Sequence, residues 1–467
     1  MLWLCIHLPE LPLEALASSE NLAAAIEHEG SRRHVLSCTV AATEAGITVG
    51  LDAASAQALA PQIKLLERSP RRERETLRAL AGWAYQYSST ISAHTTRRLL
   101  WIEVGTSLKL FGGLARLQQL IASGIEALGY RAQIGVAPTL EAAALCALLA
   151  PQPPVTEKKQ ITARIEKFPI SALALPDDVL QGLQASGLRR IGEIYALGYD
   201  ELARRFSRDT TEYLRRLIGM RPETMRPYRP PETYQRQIEF NAAIETTEGL
   251  GFSLRRMLGE FQGYLRGRDT GVQQFELVLE HEHVPPTTLQ VKTSRPQRDA
   301  AQLHSLLREQ LNRSPIAAPV IRLRLQASSF ADPGDTQLDF FDGHKRQDEE
   351  WFGLLDKLSA RLGREAVRTL GLQSDHRPEK AWCVLRDGPA PEIPGPLPER
   401  PLWLLPQPKQ VDVLPLLTSR PERIEDGWWE GDDSRRDYYT AQTRDGSRLW
   451  LYRDGHNLRW YLHGVWA

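Results

Sequence analysis

The chain has 467 residues, 42% of them hydrophobic, which is material for several domains with ordinary cores. Its 58 basic and 58 acidic side chains cancel, so no overall charge marks it as a nucleic-acid-coating polycation. No apolar run reaches the ~18–20 residues that span a bilayer, Met1-Leu-Trp-Leu opens like a strand without a basic leader, and Cys5, Cys38, Cys146 and Cys383 form no Cys-x-x-Cys pair. A cytoplasmic chain is expected, with no membrane partner, cofactor, zinc site or structural disulfide.

In chain order, Leu2-Trp-Leu-Cys-Ile-His-Leu8 reads as an apolar strand. Cys5-Ile-His7 invites a metal-ligand reading, but two alternate strand positions with no further ligand nearby read better as core. Leu13–Glu29 is rich in Ala, Leu and Glu and stops at Gly30, which predicts a helix. A strand over His34–Ala42 and a helix beginning at Ser55–Leu59 suit a small unit at about residues 30–75, and Arg68, Arg71, Arg72, Arg74 and Arg78 cluster before a further helix. Leu99-Leu-Trp-Ile-Glu-Val104 is a second apolar strand leading to Leu110-Phe-Gly-Gly113. Leu117, Leu120, Ile121 and Ile125 recur at helical spacing across Leu114–Leu128. Strand Ile134–Val136 and helix Leu140–Leu149 complete an α/β unit over residues 1–155.

Residues 165–230 are different in character, with ten Arg against six acids between Gln181 and Pro230. Two short helices there are joined by a hairpin flanked by Gly187 and Gly192. Such a hairpin can aim backbone N–H groups at a phosphate while Arg189 and Arg190 neutralise its charge. The plainer alternative is a helical hairpin with a solvated arginine face. Residues 232–330 then run strand, helix, strand, strand, helix, strand: Gln237–Phe240, Leu250–Leu265, Val272–Glu280, Thr288–Thr293, Arg298–Leu311 and Val320–Ala327. That order predicts a four-stranded sheet with two helices on one face. Arg322 and Arg324 alternate with Ile321, Leu323 and Leu325, leaving one strand face basic.

Asp335-Thr-Gln-Leu-Asp-Phe-Phe-Asp342 stands in a Pro/Gly-bounded stretch, residues 331–345. Residues 346–387 hold an amphipathic helix, Trp351–Leu362, and an apolar segment, Ala366–Leu372. Ten prolines between Gly388 and Pro421 predict a stiff connector over residues 388–421. Residues 422–467 are aromatic, with strands expected at Arg436–Thr443, Ser447–Arg453 and Leu458–Gly464. A meander this small needs support from another surface, unless its aromatics close into a core of their own.

Over residues 1–330 these blocks resemble the Y-family (translesion) DNA polymerases in order and spacing. The fold implied is α/β and α+β multidomain: palm and fingers, helix-hairpin-helix thumb, little finger, then a C-terminal extension with a small aromatic β module. Within the family the chain resembles the ImuB class, polymerase-like subunits of bacterial mutagenesis machinery, also in its tail: Gly427-Trp-Trp, Arg436-Asp-Tyr-Tyr and Trp460-Tyr-Leu-His-Gly464. An active relative's first strand runs V-D-x-D-x-F-F-A-x-V-E, and Leu4–Glu14 follows that register with Cys5 at the metal-binding Asp. The second block, S-x-D-E-A-F-L-D-V-T-G, is matched from Thr96 to Gly105 and puts Arg98 and Leu99 on the acidic pair. Two-metal phosphoryl transfer needs several carboxylates converging on Mg²⁺. Here no Asp or Glu precedes Glu10, and none occurs in the 27 residues Thr76–Ile102, so a register slip cannot restore the site. The triphosphate grip Y-x-A-R-x-x-G resembles Val40–Gly46, with Val40 and Thr43 in place of Tyr and Arg. A-P-N-K-x-L-A-K resembles Ala137–Ala144, where both lysines are gone and Ala144 ends the match.

The resemblance therefore implies a non-catalytic hub in DNA-damage-induced translesion synthesis and mutagenesis, part of an SOS response. It would hold primer–template DNA through Gly187, Arg189, Arg190, Gly192, Arg322 and Arg324. It would dock on the β sliding clamp through Gln337, Leu338, Asp339, Phe340 and Phe341, which resemble the Q-L-x-L/F-F peptide of bacterial polymerases. Further partners implied are an error-prone α-type DNA polymerase and a RecA-like accessory protein. Two other readings stay open: an active polymerase with an atypical metal site, for which Glu103 is the only carboxylate on the second strand, and a plain structure-specific DNA binder.

Overall fold

Strand β1 (Trp3–His7) is buried on both faces, as its unbroken apolar run requires. After α1 (Leu11–Glu14) the chain forms β2 (Ala23–Glu29), β3 (Arg32–Cys38), α2 (Val40–Glu44), α3 (Ala53–Leu59) and β4 (Lys64–Glu67). These make the fingers, a three-stranded sheet of order β3-β2-β4. The helix expected over Leu13–Glu29 is thus a single helical turn followed by a strand. Ala23 and Ala25 pack with Leu13 and Leu16 on one side of β2, while Ala24 and Ile26 pack with Val35, Ala42 and Ile47 on the other. Small residues are demanded by burial on both faces, and that demand overrides alanine's helix propensity.

Helix α4 (Pro70–Ala84) leads back to β5 (Ile91–His94) and β6 (Leu99–Glu103), followed by α5 (Leu114–Ala127), β7 (Gln133–Ala137) and α6 (Leu140–Leu148). The palm sheet has order β5-β6-β1-β7, antiparallel throughout. Alternation along β1 sends Leu4, Ile6 and Leu8 into a core with α4 and α5, and Trp3 and Cys5 into a second core with α6 and the thumb. The thumb comprises α7 (Ile161–Ile165), α8 (Asp177–Ala185), α9 (Ile191–Ala196), α10 (Tyr199–Arg205) and α11 (Arg208–Leu217).

The little finger follows the expected order: β8 (Tyr234–Ile244), α12 (Thr247–Gly267), β9 (Gly271–His281), β10 (Thr287–Gln297), α13 (Ala300–Arg313) and β11 (Val320–Ala327). Its sheet runs β10-β9-β11-β8, with the short β12 (Phe330–Ala331) added on β9. Both helices cover one face around Phe261, Phe275 and Leu307. Helix α12 also seats the little finger on the palm. Added Cβ atoms at Gly259, Gly263 and Gly267 would lie 2.6 Å from Leu128, 2.5 Å from Trp83 and 2.8 Å from the Tyr85 backbone. Buried Arg256 donates to the carbonyls of Leu128, Gly129 and Glu14 at 2.8–2.9 Å, and Glu260 joins Arg236 (2.5 Å) to Tyr130 (3.0 Å).

This computed structural model describes residues 1–16, 21–30, 32–314, 316–332, 343–385, 399–431 and 433–466. The chain divides into two units, Met1–Arg361, which ends in α14 (Gly343–Leu362), and Leu362–Ala467. The second unit holds a hairpin of β13 (Thr369–Leu372) and β14 (Trp382–Leu385) and a six-stranded sheet. Its strands are β15 (Trp403–Gln410), β16 (Leu416–Leu417), β17 (Glu422–Asp426), β18 (Ser434–Gln442), β19 (Arg448–Asp454) and β20 (Trp460–Val465). The three expected strands are its centre. The expected proline-rich connector instead supplies edge strands, for Pro406 and Pro408 fall where the β15–β20 pairing breaks between Leu404 and Lys409. An edge strand at an irregular step has no ladder bond to lose to proline.

Candidate functional site

On the palm face opposite α4 and α5, Cys5 stands across from Trp101 and Gly135. All its surface is buried, and burial pushes the thiol well above its ordinary range. Helix α6 lies directly on this face: a Cβ at Gly135 would overlap the backbone of Ala143 and Ala147. The Trp101 indole donates to the Leu140 carbonyl at 2.8 Å. Leu99 is fully buried, and Arg98 sits in the β5–β6 turn at φ +56°, donating to the Pro9 carbonyl at 3.0 Å. Cys5, Arg98 and Leu99 are thus near neighbours on or beside one sheet face, and around Cys5 and Leu99 that face is filled with apolar side chains.

Glu103, the carboxylate on β6, is committed elsewhere. It accepts the Leu2 amide (3.0 Å), the Gly105 amide (3.1 Å) and the Thr106 hydroxyl (2.9 Å). Burial works against its charge, but these donors hold its pKa below the usual carboxylate range. Among the described residues no three His, Cys, Asp or Glu side chains gather as a metal cage.

The positions of the triphosphate grip fall on two helices, α2 and α6. Val40 is exposed at the start of α2, the Thr43 hydroxyl returns to the Thr39 carbonyl at 3.2 Å, and Ala144 is buried in α6. Sequence reasoning missed Glu223, whose carboxylate accepts the Leu140 amide at 2.5 Å and the Glu141 amide at 3.2 Å, the first turn of α6. Burial raises its pKa to about 7, against the pull of those amides. Beside it, Arg97 pairs with Glu141 at 2.8 Å, and Tyr213 of the thumb donates to the same carboxylate at 3.2 Å. Nothing near Glu223 in sequence marks it, because its partners lie more than eighty residues away.

In the thumb hairpin, Gly187 takes φ +83° in the turn, and Gly192 allows close approach to Glu166, whose Cβ would be 3.0 Å from an added methyl. The hairpin amides already have acceptors. Those of Arg189 and Arg190 donate to Glu193 Oε2 at 2.6 and 3.1 Å, that of Ile191 to Phe168, and that of Gly192 to Glu166. What faces solvent is cationic: Lys167, Arg189 and Arg190 surround an open pocket of about 360 Å³ with no carboxylate in its lining.

On the little finger's open sheet face, Arg322 and Arg324 are not free cations. Arg322 pairs with Glu280 at 2.5 Å and Glu239 at 3.4 Å, and Arg324 also pairs with Glu280. The expected basic strip is therefore a charge-balanced ladder, which attracts a phosphate less than the arginines alone would. Glu276 and Glu280, four apart on β9, share that open face, but only the β9–β11 register sets Glu280 beside Arg322. Gln337, Leu338, Asp339, Phe340 and Phe341 lie outside the described residues.

Residues 14–147 match the model of the impB/mucB/samB family. The chain is 27% identical over 461 residues to "Protein ImuB" of Caulobacter vibrioides, in strains NA1000 and CB 15 alike, covering 90% of this chain and 100% of that protein. Among solved structures, the insertion ternary complex of Dbh DNA polymerase aligns at 14% identity and TM-score 0.40. DinB from Sulfolobus solfataricus aligns at 15% identity and TM-score 0.39. Each covers 70% of this chain and 98% of its own.

Proposed function

With an impB/mucB/samB match over residues 14–147 and 27% identity to ImuB across 90% of its length, we propose that the chain is a Y-family polymerase homologue of the ImuB class and a non-catalytic hub for translesion synthesis. One observation carries the reading. The palm face that two-metal chemistry would need is packed shut by α6 against Cys5, Leu99 and Trp101, and its nearest strand carboxylate is consumed by backbone amides. Phosphoryl transfer without several converging oxygen ligands has no means of neutralising the leaving phosphate.

In this role the thumb hairpin holds duplex phosphates through Arg189, Arg190 and Lys167, supported by their exposure around a carboxylate-free pocket. Arg322 and Arg324 contribute only where a phosphate displaces Glu239 and Glu280. Gln337–Phe341 engages the β sliding clamp, a reading that rests on the motif alone. The tail recruits the error-prone α-type polymerase and the RecA-like accessory protein. Exposure of Trp428 and Trp429, 70% and 61%, supports a docking role for that segment, whereas Tyr438, Trp450 and Tyr452 form a core.

Primer extension tests the reading. Purified protein with primed template and all four deoxynucleotides should add nothing in Mg²⁺ or Mn²⁺, while still binding the template. Template-dependent extension above a no-protein control would overturn it, and DNA binding without clamp binding would leave only a structure-specific DNA binder.

A further inference from the structure

Where the helical layers of palm and little finger meet, α4, α5, α12 and α13 leave a solvent-open groove of about 490 Å³. Gly124, Ala127, Gly259, Ala300 and Ala301 keep its walls low, and the edges of Trp83, Tyr87 and Leu128 form an apolar floor. Arg255, Arg266 and His304 line it, with no carboxylate among the lining residues. Among the described residues neither arginine has a carboxylate partner. His304 is held below its ordinary range by burial and by the charges of Arg255 and Arg308, so like charges converge here without a counter-ion. By contrast, at the start of α4 Arg71 pairs with Glu75 and Arg72 with Glu239.

We propose that this groove docks an acidic peptide segment of a protein partner, its carboxylates meeting Arg255 and Arg266 and an apolar side chain resting on Trp83 and Tyr87. Junctions between domains are common places for such sites, and complementary charge steers the encounter. Nucleic acid fits less well, because stacking a base needs a free ring face. Trp83 is only 4% exposed and lies edge-on to Tyr87, with centroids 5.3 Å apart, and Tyr87 packs in turn on Phe111. The groove also lies among the helices, away from the thumb hairpin and from the little finger's open sheet face.

The test is fluorescence anisotropy on the full-length protein, with a short labelled peptide alternating Asp/Glu pairs with Leu and Trp. Saturable binding is expected, weakened about tenfold or more in the Arg255→Glu, Arg266→Glu double variant and also weakened in Ala301→Trp, which fills the groove. The same peptide with Lys for its acids should not bind. All three positions are exposed, so melting temperatures should be retained. No saturable binding, equal binding by the variants, or displacement of the peptide by a single-stranded oligonucleotide would each overturn the proposal.

Discussion

Cys5 stands where a metal-binding carboxylate would be needed, yet its surroundings have become core, so restoring the acid should harm the fold. Cys5→Asp places a carboxyl group at a fully buried position whose nearby cation, Arg97, is already paired with Glu141, a cost of about 3 kcal/mol or more. A clear fall in melting temperature is expected, unchanged by Mg²⁺. Substantial restabilisation by Mg²⁺ would reveal a latent site. Glu223 gives a pH-dependent counterpart. Its pKa rises from 4.5 to about 7 on folding because burial disfavours the charge, so the folded state binds more protons between those values. Its contribution is fully present below about 4.5 and lost as pH climbs through about 7, at up to ~1.4 kcal/mol per pH unit. Urea denaturation from pH 5 to 7 should therefore show a shallower loss of stability for Glu223→Gln than for the unaltered chain. An identical slope would mean that Glu223 is not buried in the folded chain. Glu14, also raised to about 7 by burial, adds a second slope of the same sign.

At the scale of elements, the thumb hairpin separates phosphate contact from local capping. Replacing Arg189 and Arg190 with Ala should lower the slope of log affinity against log salt by roughly 0.7–0.9 for each lost contact. An unchanged slope would place DNA elsewhere. Glu193→Gln should tighten DNA binding, because it removes a negative charge held against the very amides that could meet a phosphate; unaltered affinity would show that those amides stay out of reach. The hairpin and the little-finger order were legible in sequence because their signals are local: glycines at a turn, and strand and helix periods following one another. The strand Ala23–Glu29 was not, since alanine's helix preference is local while its burial between two packed layers is not. For the same reason Arg322 and Arg324 could be placed on one face, but their neutralisation by Glu239 and Glu280 required knowing which strands β11 lies between. Edge strands in the proline-rich stretch were hidden by a composition that ordinarily means linker.

For the whole molecule, a formal charge of zero means that association must come from local features rather than from a general field. The proposed clamp peptide, Gln337–Phe341, is the sharpest of these. Replacing Gln337, Leu338, Phe340 and Phe341 by Ala should abolish clamp binding, since each buried aromatic anchor is commonly worth ~2 kcal/mol or more, and should leave the melting temperature unchanged. Retained affinity would reject the motif, and lost affinity with a lowered melting temperature would mark the peptide as structural. The seam along α12 bears on something else, the interchangeability of parts. Three glycines four residues apart, each costing an exposed helix about 1 kcal/mol relative to alanine, let this helix approach Leu128, Trp83 and Tyr85 closely enough for Arg256 to reach three palm carbonyls. A little finger transplanted from a homologue with larger side chains at those three places would ride too high on the palm for that grip to close. In this chain the little finger is not a spare part, and any graft would have to carry its own glycine seam with it.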